Sequence, residues 1–378
     1  MNYKQNKLTY GLKKALLSLK YKRKYNYSYQ KVDISHNPII VLCNCCTRDD
    51  AMLVAMSFSR QLDFAADAKY VKIAGKKPYL IPVYSASTNG RACVEIIKRV
   101  KAGHSVCLFP EGVRSGDGLT SDIPKEVAKL VKKLGVCLVT YKIDGAYMSH
   151  PAWAKYPRRG KTYGHTEHIY PAQNIKKMTV YNIHEAIKSD LYADAAASQS
   201  EYQTKFVGKR LAEGIERCLY ACPCCKYLNT LTSSGNKIIC TKCQKTGEID
   251  ELGNISEFPF SNVRDWSNWQ RSMIKKLPYV STEKEIAFDD FCTLVKVDRD
   301  LSEKTVCKGR FSITNISLKI EDKEILFDKI RRAELTYDGN LAFATAKMGG
   351  AYYEVRNENG YAAVMYLEIY KRFKRDRS

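Results

Sequence analysis

Long apolar runs are missing from this 378-residue chain. None approaches the roughly 20 residues that a bilayer-spanning helix needs, and Ile39–Cys43 is typical of the longest. A secretory leader is not read at the start, because Lys13 and Lys14 interrupt the one candidate apolar core and leave only Ala15–Leu19. The expected location is therefore cytoplasmic, where the 14 cysteines stay reduced or hold metal rather than pair. No internal repeat is evident, which argues against a solenoid or propeller. Acidic residues are in deficit: 40 Asp and Glu face 62 Lys and Arg, a net charge of +22. Such a balance points to an anionic partner, whether a phospholipid surface, a phosphorylated ligand, an acidic carrier protein or nucleic acid.

What is present is globular. The chain is 45% hydrophobic and 27% charged, which excludes wholesale disorder, and its length suggests two or three domains. Residues 1–31 hold nine Lys or Arg and no acid. Within them Leu8, Leu12, Ala15, Leu16 and Leu19 recur at helical spacing, while Lys7, Lys13, Lys14 and Lys20 fall off that stripe. This basic amphipathic segment, placed at 1–35, suits either an anionic membrane surface or a first helix docked on the main domain.

From about residue 36 the pattern alternates between strand and helix. Ile39–Cys43, Tyr79–Tyr84, Ser105–Phe109 and Val136–Tyr141 read as strands. Ala51–Leu62, Arg91–Lys101 and Pro124–Leu134 read as the helices between them, and Thr179–Ala197 and Lys209–Tyr220 as closing helices. The expected fold over 36–220 is thus α/β, with a mainly parallel sheet and flanking helices. Residues 221–255 are turn-rich and carry four spaced cysteines, and 256–287 read as a linker with Phe258, Phe260, Trp266 and Trp269 as its core. Short β-branched and aromatic segments over 288–378, ending in a helix at Gly360–Lys374, predict a small β-rich module capped by that helix.

The four cysteines are Cys222-x2-Cys225 and, fourteen residues on, Cys240-x2-Cys243. Two such knuckles present four thiolates to one tetrahedral ion, the spacing of a zinc ribbon. Four cysteines leave no open position, so a structural zinc is expected. Ribbons also bind nucleic acid, but no basic-and-aromatic stacking pattern surrounds Cys222–Cys243, which makes that the weakest reading.

The most informative stretch is Cys107-Leu-Phe-Pro-Glu-Gly-Val-Arg-Ser115, a buried strand running into a turn. Gly112 permits the tight turn, Arg114 has the fork geometry for a phosphate, and Glu111 lies at a strand's C-terminal end, where open α/β sheets bind ligands. The stretch resembles the Phe-Pro-Glu-Gly-x-Arg-Ser motif of the glycerol-phosphate and lysophosphatidate acyltransferase family. By that resemblance Glu111, Gly112, Arg114 and Ser115 hold the acceptor's phosphoglycerol part. Ile39–Cys43 with Asn44 is similar to the strand that introduces the family's His-x4-Asp motif, and Cys45 and Asp50 stand at its spacing. Tyr84 stands where that family has a basic residue, and Val139–Lys142 resembles its last block. A trailing zinc ribbon resembles one branch of the family.

The departure is at the base. In the family the histidine of His-x4-Asp removes the acceptor hydroxyl's proton and the aspartate orients it; here Cys45 occupies the histidine position. No Asp lies five residues after any of His36, His104, His150, His165, His168 or His184. His104 precedes its strand and is expected roughly 16 Å away, at the sheet's other edge; His36 is likewise upstream. Three readings of Cys45 stay open: a cysteine mechanism with Asp50 alongside, a base entering from elsewhere such as His165 or His168, or a site that binds without turning over. The resemblance implies an acyltransferase peripheral to the cytoplasmic membrane face. It would move an acyl group from acyl-coenzyme A or acyl carrier protein to 1-acyl-glycerol 3-phosphate. The rivals are an inactive lipid-phosphate binder on that fold and a zinc-ribbon nucleic-acid binder. Arg158-Arg159-Gly-Lys161 reads as a basic loop facing headgroups or coenzyme A, or equally as a solvated turn.

Overall fold

The computed structural model describes residues 18–75, 77–85, 90–278, 283–348 and 350–375. The first body is a seven-stranded sheet of β1 (Tyr27–Tyr29), β2 (Ile39–Cys43), β3 (Asp63–Asp67), β4 (Leu80–Val83), β5 (Val106–Leu108), β6 (Cys137–Asp144) and β7 (Thr162–Tyr170). Their order is β1-β7-β6-β2-β5-β3-β4, and every neighbouring pair is parallel except β6 with β7. β2 is wholly buried, as its unbroken apolar run requires of a central parallel strand. Helices cover both faces: Val41 and Leu53 belong to one core, Ile40, Leu108, Ala128 and Ile183 to the other.

Three expectations fail here, the first being the single helix over Thr179–Ala197, which is two, Val180–Asp190 and Ala195–Tyr202. Asp63–Asp67 is a strand between β5 and β4, although its alanines have little β preference and its ends are charged. The preceding helix accordingly stops at Ser57, with Phe58 already extended. Lys209–Tyr220 is not a helix but a run of turns with one short 3₁₀ turn at Ile215–Arg217. Gly214 sits there at φ +94°, outside the helical region, and a Cβ on it would lie 2.2 Å from the Trp153 carbonyl, so only glycine fits this bend.

The leucine stripe over residues 8–16 lies outside the described residues, and Leu19 is exposed. Residues 18–25 form a helix whose Tyr21 and Tyr25 are buried on the α/β layer, both donating to Asp49, at 3.2 and 2.6 Å. No described helix is long and apolar enough to cross a membrane.

The cysteine-bearing stretch forms a three-stranded antiparallel sheet of β8 (Leu231–Ser234), β9 (Lys237–Cys240) and β10 (Thr246–Glu248). The helix Val263–Lys275 lays fully buried Trp266 against it, with Phe258 at 4.8 Å between ring centres. The C-terminal region is a seven-stranded antiparallel sheet. It comprises β11 (Glu285–Val297), β12 (Glu303–Thr314), β13 (Ser317–Ile320), β14 (Lys323–Leu326), β15 (Ile330–Leu335), β16 (Leu341–Thr345) and β17 (Tyr352–Asn357), with the helix Ala363–Arg375 packed on its apolar face.

Candidate functional site

Parallel strands place all their C-terminal ends on one edge, so the loops after β2, β5 and β6 converge. The loop after β2 carries Cys45–Asp50, and the loop after β5 carries Glu111–Ser115. They are tied together: Cys45 N–H donates to Glu111 Oε1 at 2.8 Å, and Ser115 N–H to the Cys45 carbonyl at 3.1 Å. Cys45, Asp50, Glu111, Arg114 and Ser115 are all buried.

Most of these groups are occupied by the protein itself. Asp50 accepts from Cys46 N–H at 2.6 Å, Thr47 N–H at 2.9 Å and the Thr47 hydroxyl at 2.6 Å, so it braces its own loop. Burial nevertheless pushes its carboxyl up to about 6. Glu111 also accepts from Ser121 N–H at 2.6 Å and is pushed by burial up to about 7. Gly112, at φ +71°, closes the turn through its N–H to the Phe109 carbonyl, 3.1 Å away. Ser115 Oγ donates to the Leu119 carbonyl at 2.7 Å and accepts from Gly118 N–H at 2.9 Å. The Cys45 thiol is held protonated: burial, then the Asp50 and Glu111 charges, pushes it well above its ordinary range.

Arg114 differs. It is 92% buried (8% exposed), pairs with no carboxylate of the described residues, and its Nε has no hydrogen-bond partner. One face of its guanidinium lies 5.5 Å from the ring centre of Tyr337. Tyr337 comes from the β15–β16 loop of the C-terminal sheet, and its hydroxyl donates to the Thr47 carbonyl at 3.0 Å. Beside it Arg48 meets Asp338 at 3.1 Å, and Lys69 binds Glu354. The C-terminal module thus roofs the edge where the two motif loops meet. No periodicity or motif in the sequence signals a contact across 290 positions.

The histidines divide clearly. His104 meets Asp63 at 3.1 Å, before β5 and at the far edge, as strand geometry predicts. His165 and His168 lie on β7, engaged at 2.9 Å by Asp144 and Asp190 respectively. His150 follows the short helix Ala146–Ser149 beyond β6, on the motif edge. Its Nδ1 is buried without a partner, and burial with the charges of Arg114, Lys24 and Arg48 pushes its pKa down to about 4.

Away from this edge, Cys222, Cys225, Cys240 and Cys243 bring their sulfurs within 4.8 Å of one another. The pairs Cys222–Cys243 and Cys225–Cys240 stand 3.8 and 3.7 Å apart. Four sulfurs at about 2.3 Å from one tetrahedral ion are separated by ~3.8 Å, so the cluster is compatible with a structural metal.

No family model and no curated protein matches this chain. Among solved structures, the 1-acyl-sn-glycerophosphate (LPA) acyltransferase PlsC from Thermotoga maritima is similar at 19% identity. The likeness covers 50% of this chain and 83% of that one, with a TM-score of 0.40. A likeness of that depth assigns neither a reaction nor a substrate.

Proposed function

We propose that the α/β body binds the phosphate of a 1-acyl-glycerol 3-phosphate-type lipid on Arg114, in a lysophosphatidate acyltransferase-type site. In this chain, on that reading, the site holds its ligand without fast acyl transfer. The observation that carries the binding is Arg114: a buried guanidinium that pairs with no carboxylate among the described residues, and whose Nε is unbonded, is a cation waiting for an anion from outside. Against fast transfer stands Cys45, a protonated thiol whose neighbouring carboxylate is spent on backbone N–H groups. Losing a general base typically slows such a step by about 10²–10⁴-fold.

A second reading, slow transfer from acyl-coenzyme A or acyl carrier protein, is favoured by one observation. His150 carries a buried, unpartnered Nδ1 on the motif edge that is able to accept a proton, and its pKa, pushed down to about 4, makes it a weak base and the transfer slow. The four thiolates hold zinc in both readings, as a brace rather than a reagent. The basic surface and residues 1–17 would keep the protein at the cytoplasmic membrane face. Binding of short-chain lysophosphatidate to the wild type and to Arg114→Ala, beside a phosphatidate-forming assay with His150→Ala, tests both readings.

A further inference from the structure

A second arginine is buried without a counter-charge. Arg158, in the loop before β7, is only 3% exposed, so it is not the solvated basic turn that the sequence suggested. Of its five N–H donors, one on Nη2 reaches the Leu211 carbonyl at 2.7 Å. Nε is buried with no acceptor, and no carboxylate of the described residues pairs with the group. Trp153 covers one face of the guanidinium, 5.1 Å from its ring centre. Burial lowers its pKa to about 10, the response of a charge that the fold does not neutralise.

Arg158 lines a cavity of about 290 Å³ between the α/β body and the ribbon, with Tyr147, Trp153 and Gln199 on one side and Leu252 and Arg264 on the other. The other charges there are internally compensated. Arg264 binds Asp194 at 2.7 Å and Asp265 at 2.9 Å, and Asp117 is bound by Arg271. Arg158 alone is left over. An uncompensated buried cation is destabilising, and here it borders a cavity with room for about ten waters.

We propose that this cavity is a binding site for a small anion, a carboxylate or phosphate monoester on a compact body, held by Arg158 at the joint between the two domains. The planar fork accepts either oxyanion in the same two-point manner, and the volume suits a compact body. The site is separate from Arg114 and independent of the function proposed there.

The test is thermal unfolding and calorimetric titration of the full-length, metal-loaded protein, with inorganic phosphate and, separately, succinate as probes. The Arg158→Met variant should melt at least as high as the wild type without anion, because it removes an uncompensated charge. In saturating anion the order should reverse: the wild type rises and Arg158→Met does not, its affinity weakened roughly tenfold or more. All of these comparisons are made in an Arg114→Ala background, so that phosphate held at that site adds nothing; the response should persist there, which separates the two sites, and the preferred probe shows which oxyanion is taken. Ala196→Trp, which fills the cavity with Arg158 in place, should abolish the response and covers the case in which Arg158→Met does not fold. The proposal is overturned by an anion response that both Arg158→Met and Ala196→Trp retain. It is equally overturned by an Arg158→Met destabilisation that is the same with and without anion.

Discussion

If Arg114 is the phosphate site, then Tyr337 helps to close the roof over it, and removing Tyr337 should tighten lipid binding. The hydrogen bond from Tyr337 to the Thr47 carbonyl, 3.0 Å and largely buried, contributes about 0.5–1.5 kcal/mol. The face-on contact with Arg114 contributes about 0.5–2 kcal/mol. The Arg48–Asp338 pair, exposed on both sides, adds little. Together these hold the β15–β16 loop over the site by ~1–3 kcal/mol, and a lipid that enters beneath that loop must displace it. At about 1.4 kcal/mol per tenfold, Tyr337→Ala should lower the dissociation constant for lysophosphatidate by roughly one to two orders of magnitude. Tyr337→Phe, which keeps the ring, should give at most about tenfold. Isothermal titration with a short-chain, monomeric lysophosphatidate measures both, and Arg114→Ala in each background should remove the binding. An unchanged or weaker affinity in Tyr337→Ala would refute the reasoning, because Tyr337 would then be part of the binding surface and not a cover over it.

Other outcomes follow from the same geometry. Cys45→His should raise phosphatidate formation by about 10²–10⁴-fold if only the base is missing, whereas Cys45→Ala should leave lipid binding unchanged; radiolabelled transfer assays check both. Any slow turnover in the wild type should vanish in His150→Ala. Asp50 and Glu111 keep their protons to about pH 6 and 7 in the folded chain, against ordinary values of 3.8 and 4.5. The stability they contribute is therefore full below pH 4 and is lost as pH rises through 6 and 7, and Glu111→Gln should flatten that fall in a melting-temperature profile. If the four cysteines hold a structural metal, a chelator, like Cys240→Ser, should unpack the cysteine-bearing sheet from Trp266 and shift tryptophan emission to the red.

The parallel sheet was legible because its central strands are unbroken apolar runs punctuated by helices with caps and amphipathic faces. Position at strand ends then brought Cys45, Asp50, Glu111 and Arg114 to one edge without any structural information. The four-cysteine cluster was legible from spacing alone. What the sequence hid was decided by tertiary contacts. Asp63–Asp67 became a strand because β5 and β4 flank it, against its own weak preference. Lys209–Tyr220 lost its helix to the bend at Gly214. Tyr337 reaches Thr47 only because the C-terminal sheet docks on the first body, and Arg158 is closed over by its near neighbour Trp153 together with the Leu211 carbonyl, 53 positions on. In each case at least one deciding partner lies tens to hundreds of positions away, beyond any local pattern.

The central claim is that Arg114 holds a lipid phosphate while Cys45 does no chemistry. The most direct measurement sets lysophosphatidate binding and phosphatidate formation side by side for the wild type, Arg114→Ala and Cys45→Ala. The account predicts binding that is lost in Arg114→Ala and kept in Cys45→Ala, with transfer near background in all three. Robust transfer that Cys45→Ala abolishes would contradict it, because the chemistry would then run through that cysteine.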